Sequence, residues 1–213
     1  MGLKAIIFDF DGTLCNSLSV KEEAFGQMYK NYGKKVEEKV KKYHRENLGV
    51  SRQKKFLFFQ QEIIKDDYSN KRIESLSKNF SSIVLNKVVK ASLMPGGLNF
   101  LKKFDSKYQF FLSSATPQNE LKKITKEKKI DKFFKEILGS PDEKYFHILK
   151  ILKKHKLSND EVVYIGDSFQ DKFAAKKAQV NFIGFNPNNF NVDDITFNHF
   201  KELDSVLVKI YGE

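Results

Sequence analysis

An apolar run, Leu3–Phe8, leads directly into Asp9-Phe10-Asp11-Gly12-Thr13-Leu14. This feature constrains the fold more than any other in the chain. A buried strand that ends in two carboxylates and a glycine turn places a polar site at its C-terminal end. Residues i and i+2 of an extended chain point the same way, so Asp9 and Asp11 are expected to face one site together. Two carboxylates that close repel unless a shared proton or a cation relieves them. A hard cation with oxygen ligands, most simply Mg²⁺, meets that need.

The remaining apolar runs are Tyr108–Leu112, Lys135–Leu138, Val162–Ile165 and Phe182–Phe185, each separated from the next by a helical pattern. Short apolar runs alternating with helices predict βαβ units and a parallel sheet. Residues 15–90 contain no such run and read as four helices, at about 18–32, 34–47, 51–66 and 69–90, punctuated by Gly33, Gly49-Val50-Ser51 and Tyr68-Ser69-Asn70. The expected fold is therefore α/β, a Rossmann-like doubly wound core over 1–14 and 91–213 with an all-helical insertion over 15–90. In open parallel sheets, ligands bind beyond the carboxyl ends of the strands.

Three further motifs sit at such strand ends. Phe110-Phe111-Leu112-Ser113-Ser114-Ala115-Thr116-Pro117 reads as a strand ending in hydroxyls before a helix start, a natural anion cradle. Gly139-Ser140-Pro141-Asp142-Glu143-Lys144 follows a short strand and offers a lysine. Gly166-Asp167-Ser168-Phe169-Gln170-Asp171 follows Val162–Ile165, with Asp167 and Asp171 spaced to share a helix face.

Together these four motifs resemble those of the haloacid dehalogenase-like hydrolases, in their phosphatase branch. The resemblance spans essentially the whole chain. It implies phosphoryl transfer through an aspartyl phosphate on Asp9, with Asp11 as general acid and then base. That double role needs neighbours that raise the pKa of Asp11. The resemblance also implies Mg²⁺ held by Asp9, the main-chain carbonyl of Asp11 and Asp167, with Asp171 positioning waters or Lys144. Thr13, Ser114, Lys144 and the main-chain N–H groups of Phe10 and Ala115 are implied to clamp the phosphoryl oxygens. The family needs one hydroxyl at the second motif, and Ser113 competes with Ser114; the small-residue pattern before Thr116 favours Ser114. Many members place the lysine directly before the proline, where this chain has Ser140, and a variant with the lysine at the helix start points to Lys144. The family's dehalogenases lack the second aspartate, so Asp11 argues for phosphate chemistry. Carbon–phosphorus hydrolysis would need a lysine from the helical insertion as a Schiff base, and the sequence supplies many.

Within the insertion, Asn47-Leu48-Gly49-Val50-Ser51-Arg52 resembles a segment of hexose-phosphate mutases in which an arginine contacts the substrate. Arg52 suits a second phosphate or a carboxylate, with Lys55 on the same face; the plainer reading is a helix end at Gly49, a cap at Ser51 and a surface arginine. The chain carries a net charge of +11, and residues 14–90, with 17 Lys+Arg against 9 Asp+Glu, account for +8 of it. This excess fits attraction of small anionic metabolites or plain solvated helix faces. Binding of nucleic acid rests on charge alone, without interleaved aromatics. A single cysteine, Cys15, excludes an internal disulfide framework, and Asp9 has the better context as nucleophile. No apolar stretch is long enough to span a bilayer, and a cytoplasmic monomer or dimer is expected. The leading function is a small-molecule phosphatase for a sugar phosphate or phosphoglycolate-like ester. A phosphomutase, and a basic nucleic-acid-associated protein or end phosphatase, stand as alternatives.

Overall fold

The computed structural model describes residues 2–66 and 68–212. Along the chain, β1 (Ala5–Phe8) is followed by four helices: α1 (Leu18–Tyr29), α2 (Lys34–Glu46), α3 (Arg52–Phe58) and α4 (Asn70–Lys90). Then come α5 (Gly97–Phe104), β2 (Gln109–Pro117), α6 (Gln118–Glu127), β3 (Phe134–Ser140), α7 (Lys144–His155), β4 (Val162–Gly166), α8 (Phe169–Lys177), β5 (Asn181–Phe185), β6 (Thr196–Phe197) and α9 (Phe200–Tyr211). The strands form one six-stranded parallel sheet in the order β3-β2-β1-β4-β5-β6.

The central position of β1 explains its composition. It pairs with β2 on one side and β4 on the other, both faces are covered, and all four residues are buried. Alternation divides the two core layers. Ile6 and Phe8 pack with Phe110, Leu112, Val163 and Ile165 under α5, α6 and α9. Ala5 and Ile7 pack with Phe111, Val162 and Tyr164 under α7 and α8. The small residues Ala174, Ala175 and Ala178 are buried there and let α8 approach the sheet closely.

The helical insertion is built on aromatic rings. Phe25 of α1 meets Phe80 of α4 at a centroid distance of 4.2 Å, and Tyr43 of α2 stacks on Phe58 of α3 at 3.8 Å. Each such pair contributes about 0.5–1.5 kcal/mol beyond its area burial. Among the described residues, three ion pairs tie the insertion to the sheet domain: Lys21–Asp11 at 2.5 Å, Arg52–Glu120 at 2.8 Å and Lys54–Glu143 at 2.6 Å.

Three local expectations are corrected. The helix expected over 51–66 is α3 followed by a π-helical turn, Phe59–Ile64, which ends on left-handed Lys65. The strand expected to end in the hydroxyls of Ser113 and Ser114 runs on to Pro117, the N-cap residue of α6. The sixth strand, Thr196–Phe197, was not expected; two residues are too few for an apolar run to show. Among the described residues no helix is long and apolar enough to cross a membrane.

Candidate active site

The carboxyl ends of β1 and β4 lie side by side, and the charged groups converge there. Asp9, Asp167 and Asp171 are all buried, and each offers an oxygen within 4.8 Å of the others. Lys144, the first residue of α7, donates to Asp9 Oδ1 and Asp171 Oδ1, both at 2.6 Å. Asp171 uses its other oxygen to accept from the main chain and hydroxyl of Ser168, closing a capping box on α8. Both of its oxygens are thus committed inside the protein. Asp167 Oδ2 is buried with no hydrogen-bond partner, and Thr13 Oγ1 reaches Asp167 Oδ1 only at 3.5 Å.

Two glycines are required by this crowding. Gly12 has φ +88°, and a Cβ there would lie 2.1 Å from Asp167 Oδ2. At Gly166 a Cβ would lie 2.3 Å from Asp171 Cγ, so close approach rather than turn freedom explains that residue.

The electrostatics follow from burial. Desolvation is the largest influence on Asp9 and outweighs the pull of Lys144; Asp171 and Asp11 push the same way, and its pKa rises to about 7. Asp167 is raised well above the usual carboxylate range, by desolvation and then by Asp9 and Asp171. Lys144 is raised despite its desolvation, because Asp171 and Asp9 hold its proton. A buried cluster of hard oxygens, with one carboxylate oxygen unpartnered, fits a divalent cation such as Mg²⁺.

Asp11 lies across the site from this cluster. Its carboxylate accepts from Ser17 Oγ at 2.6 Å, Thr116 Oγ1 at 2.8 Å and Ser114 Oγ at 3.3 Å, and pairs with Lys21. Desolvation would raise its pKa, but Lys21, Ser17 and Thr116 together bring it down to about 2. The general-acid role needs a raised pKa, and this arrangement holds the opposite: Lys21, on the first turn of α1, supplies an ammonium that sequence spacing does not announce. The Asp11 side chain takes no part in the three-carboxylate cluster; a cation contact through its main-chain carbonyl is what the family resemblance implies.

The two serines separate by strand alternation. Ser113 Oγ pairs with His147 Nδ1 at 2.9 Å, away from the site, whereas Ser114 faces Asp11. Ala115 and Thr116 line the cavity with Asp9, Asp11 and Lys144, and Phe10 is buried beneath it.

The opposite wall comes from the helical insertion and includes groups the sequence reading did not single out: Lys21, His44, Phe25 and Phe80. Arg52 is committed to a bidentate pair with Glu120, at 2.9 and 2.8 Å, and to Ser81 at 2.6 Å. Arg52→Ala is therefore expected to destabilise the protein by about 2 kcal/mol. That corresponds to roughly 4–8 °C in Tm, with KM for a small phosphate ester changed less than about threefold. A tenfold KM increase at unchanged Tm would place Arg52 on the substrate instead.

His44 is buried against Lys55, and its pKa falls to about 2, by desolvation first and then by Lys55 and Lys21. The unfolded chain binds this proton below about pH 6.5 and the folded chain does not, so stability is lost as pH falls through that window. Between pH 6.5 and 5 the loss is about 2 kcal/mol. Melting curves should show His44→Gln declining less than the parent over that range; equal declines would remove His44 from the account.

A family model of haloacid dehalogenase-like hydrolases matches residues 6–185. The chain belongs to that family. Among individual relatives of this haloacid dehalogenase-like hydrolase, a phosphorylated carbohydrates phosphatase from Thermotoga maritima is 27% identical over 191 residues, covering 84% of this chain and 82% of that one. The fold is like that of β-phosphoglucomutase from Clostridium difficile, with a TM-score of 0.78, 17% identity and coverage of 99% and 100%. It is also like that of CbbY from Rhodobacter sphaeroides, solved in complex with xylulose-(1,5)bisphosphate, with a TM-score of 0.77, 16% identity and coverage of 96% and 99%.

Proposed function

We propose that this protein is a phosphatase that hydrolyses a small phosphate monoester through a phosphoryl group carried on Asp9, with the block 15–90 acting as a cap over the core 1–14 and 91–213. One observation carries the reading: Lys144 bridges Asp9 and Asp171 at 2.6 Å beside the unpartnered Asp167 oxygen, while Asp11 stands apart among hydroxyls. The family membership and the Thermotoga maritima relative, a phosphatase of phosphorylated carbohydrates, support it.

Asp9 attacks phosphorus in line with the leaving oxygen. Lys144, the Ser114 hydroxyl and the main-chain N–H groups at Phe10 and Ala115 take up the charge on the transferring oxygens. Asp171 holds Lys144 in place. Asp9, Asp167 and the Asp11 carbonyl would hold Mg²⁺, which when bound supplies charge neutralisation between the nucleophile and the phosphoryl oxygens. Asp11 takes the proton of the attacking water in the second half-reaction, for which its ionised state is suited. In the first half-reaction it must donate a proton, so the Lys21 contact has to break.

Phosphate release from a generic aryl phosphate and from phosphorylated metabolites, with and without Mg²⁺, tests the reading. Release that depends on Mg²⁺ is expected, together with a rise of about 5–10 °C in Tm when the ion is present at about a hundredfold its Kd. Formation of an isomeric sugar phosphate without phosphate release would replace this reading with a mutase.

A further inference from the structure

Lys55 is 3% exposed and lines the same cavity as Asp9, Asp11 and Lys144. Its ammonium contacts His44 Nδ1 at 2.7 Å and lies 5.7 Å from the centre of the Phe25 ring. Among the described residues no carboxylate forms an ion pair with it. The other cations around the cavity are already matched: Lys144 by Asp9 and Asp171, Lys21 by Asp11, and Arg52 by Glu120. A buried charge without a counter-charge is costly. It is retained most readily where a ligand supplies the missing partner.

The space available limits that ligand. The cavity measures about 50 Å³, room for roughly three to five water-sized groups. Lys55 and Lys144 line this same small space, so a carboxylate that reaches Lys55 from a phosphoryl group at Lys144 lies a few bonds from the ester oxygen.

We propose that Lys55 anchors a substrate carboxylate, which makes a short phosphorylated hydroxy acid the preferred ester. This rests on the phosphatase reading above. His44 serves as a positioning residue, its Nδ1 lone pair accepting from the ammonium. Burial holds the Lys55 pKa down to about 7, and a carboxylate beside it favours the charged form.

The test compares 2-phosphoglycolate with ethyl phosphate, which matches it in length but lacks the carboxylate. The parent protein is expected to show a KM about 10- to 100-fold lower for 2-phosphoglycolate, the range of a charge-assisted hydrogen bond. In Lys55→Met that preference is lost, the KM values of the two esters coming within about threefold of each other. Tm should hold or rise, because an unmatched buried charge has been removed. Lys55→Gln, expected to give the same loss of preference, serves if the methionine variant does not fold. Turnover of both esters with equal KM, or a preference that survives both substitutions, overturns the role of Lys55 alone. Turnover of neither ester by the parent overturns this inference, and the phosphatase reading falls with it only where the aryl phosphate and the other phosphorylated metabolites release no phosphate either.

Discussion

Asp9→Asn lowers phosphate release by about 10⁴-fold or more, the scale seen when a covalent nucleophile is removed, while the protein stays folded. The amide cannot attack phosphorus, yet it occupies the same volume and still accepts from Lys144, which keeps Asp171 as its ionic partner. Its Tm should be no lower than the parent's in the absence of divalent cation. Asp9 is a buried acid held up to about pH 7 by desolvation and by its acidic neighbours, so neutralising it relieves repulsion. Residual turnover within tenfold of the parent would move the nucleophile elsewhere.

Lys144→Met carries the second large effect, because it strikes stability as well as rate. The ammonium is buried between two carboxylates, and removing it leaves both uncompensated. Breaking a buried pair in this way costs about 3–5 kcal/mol, roughly 6–20 °C in Tm for a chain of this size. The pH dependence has a definite sign. Loss of Lys144 removes the main influence that lowers the pKa of Asp9, already above its unfolded value. The folded variant then binds protons that the unfolded chain releases, so its stability rises as pH falls from 7 towards 5. The parent's Asp9, held up to about 7, takes up its proton in the same window, so the Tm deficit should shrink only slightly at pH 5, with turnover reduced about 10³-fold at neutral pH. A deficit below about 1 kcal/mol would mean that the pair is solvated rather than buried.

Much of this site is legible in the sequence because its parts lie at strand ends. The apolar runs place β1, β2, β3, β4 and β5, and a parallel sheet brings their carboxyl ends together, so Asp9, Ser114, Lys144 and Asp167 converge. The Ser113–Ser114 ambiguity dissolves only when the strand is known to continue past Leu112, since alternation then sends one hydroxyl to His147 and the other to Asp11. The helical insertion is harder. Its boundaries show in glycines and caps, but which of its many lysines is buried depends on how α1, α2 and α3 pack. Lys21 looks like any other surface lysine in one dimension, and Lys55 stands out there only as a neighbour of Arg52 on one helix face. In three, one holds the Asp11 carboxyl down to about 2 and the other sits on His44. Arg52 shows the converse: its local motif suggested a substrate contact, and a partner 68 residues away, Glu120, has taken its guanidinium.

In the proposed reaction Asp9 carries the phosphoryl group. The most direct measurement is intact and peptide mass spectrometry of protein acid-quenched during turnover of a rapidly cleaved phosphate ester. The account predicts one added phosphoryl group on the peptide containing Asp9, absent from Asp9→Asn. A phosphoryl group on Ser114 or any other residue would contradict it, as would full turnover with no adduct at any quench time and solvent oxygen never entering Asp9.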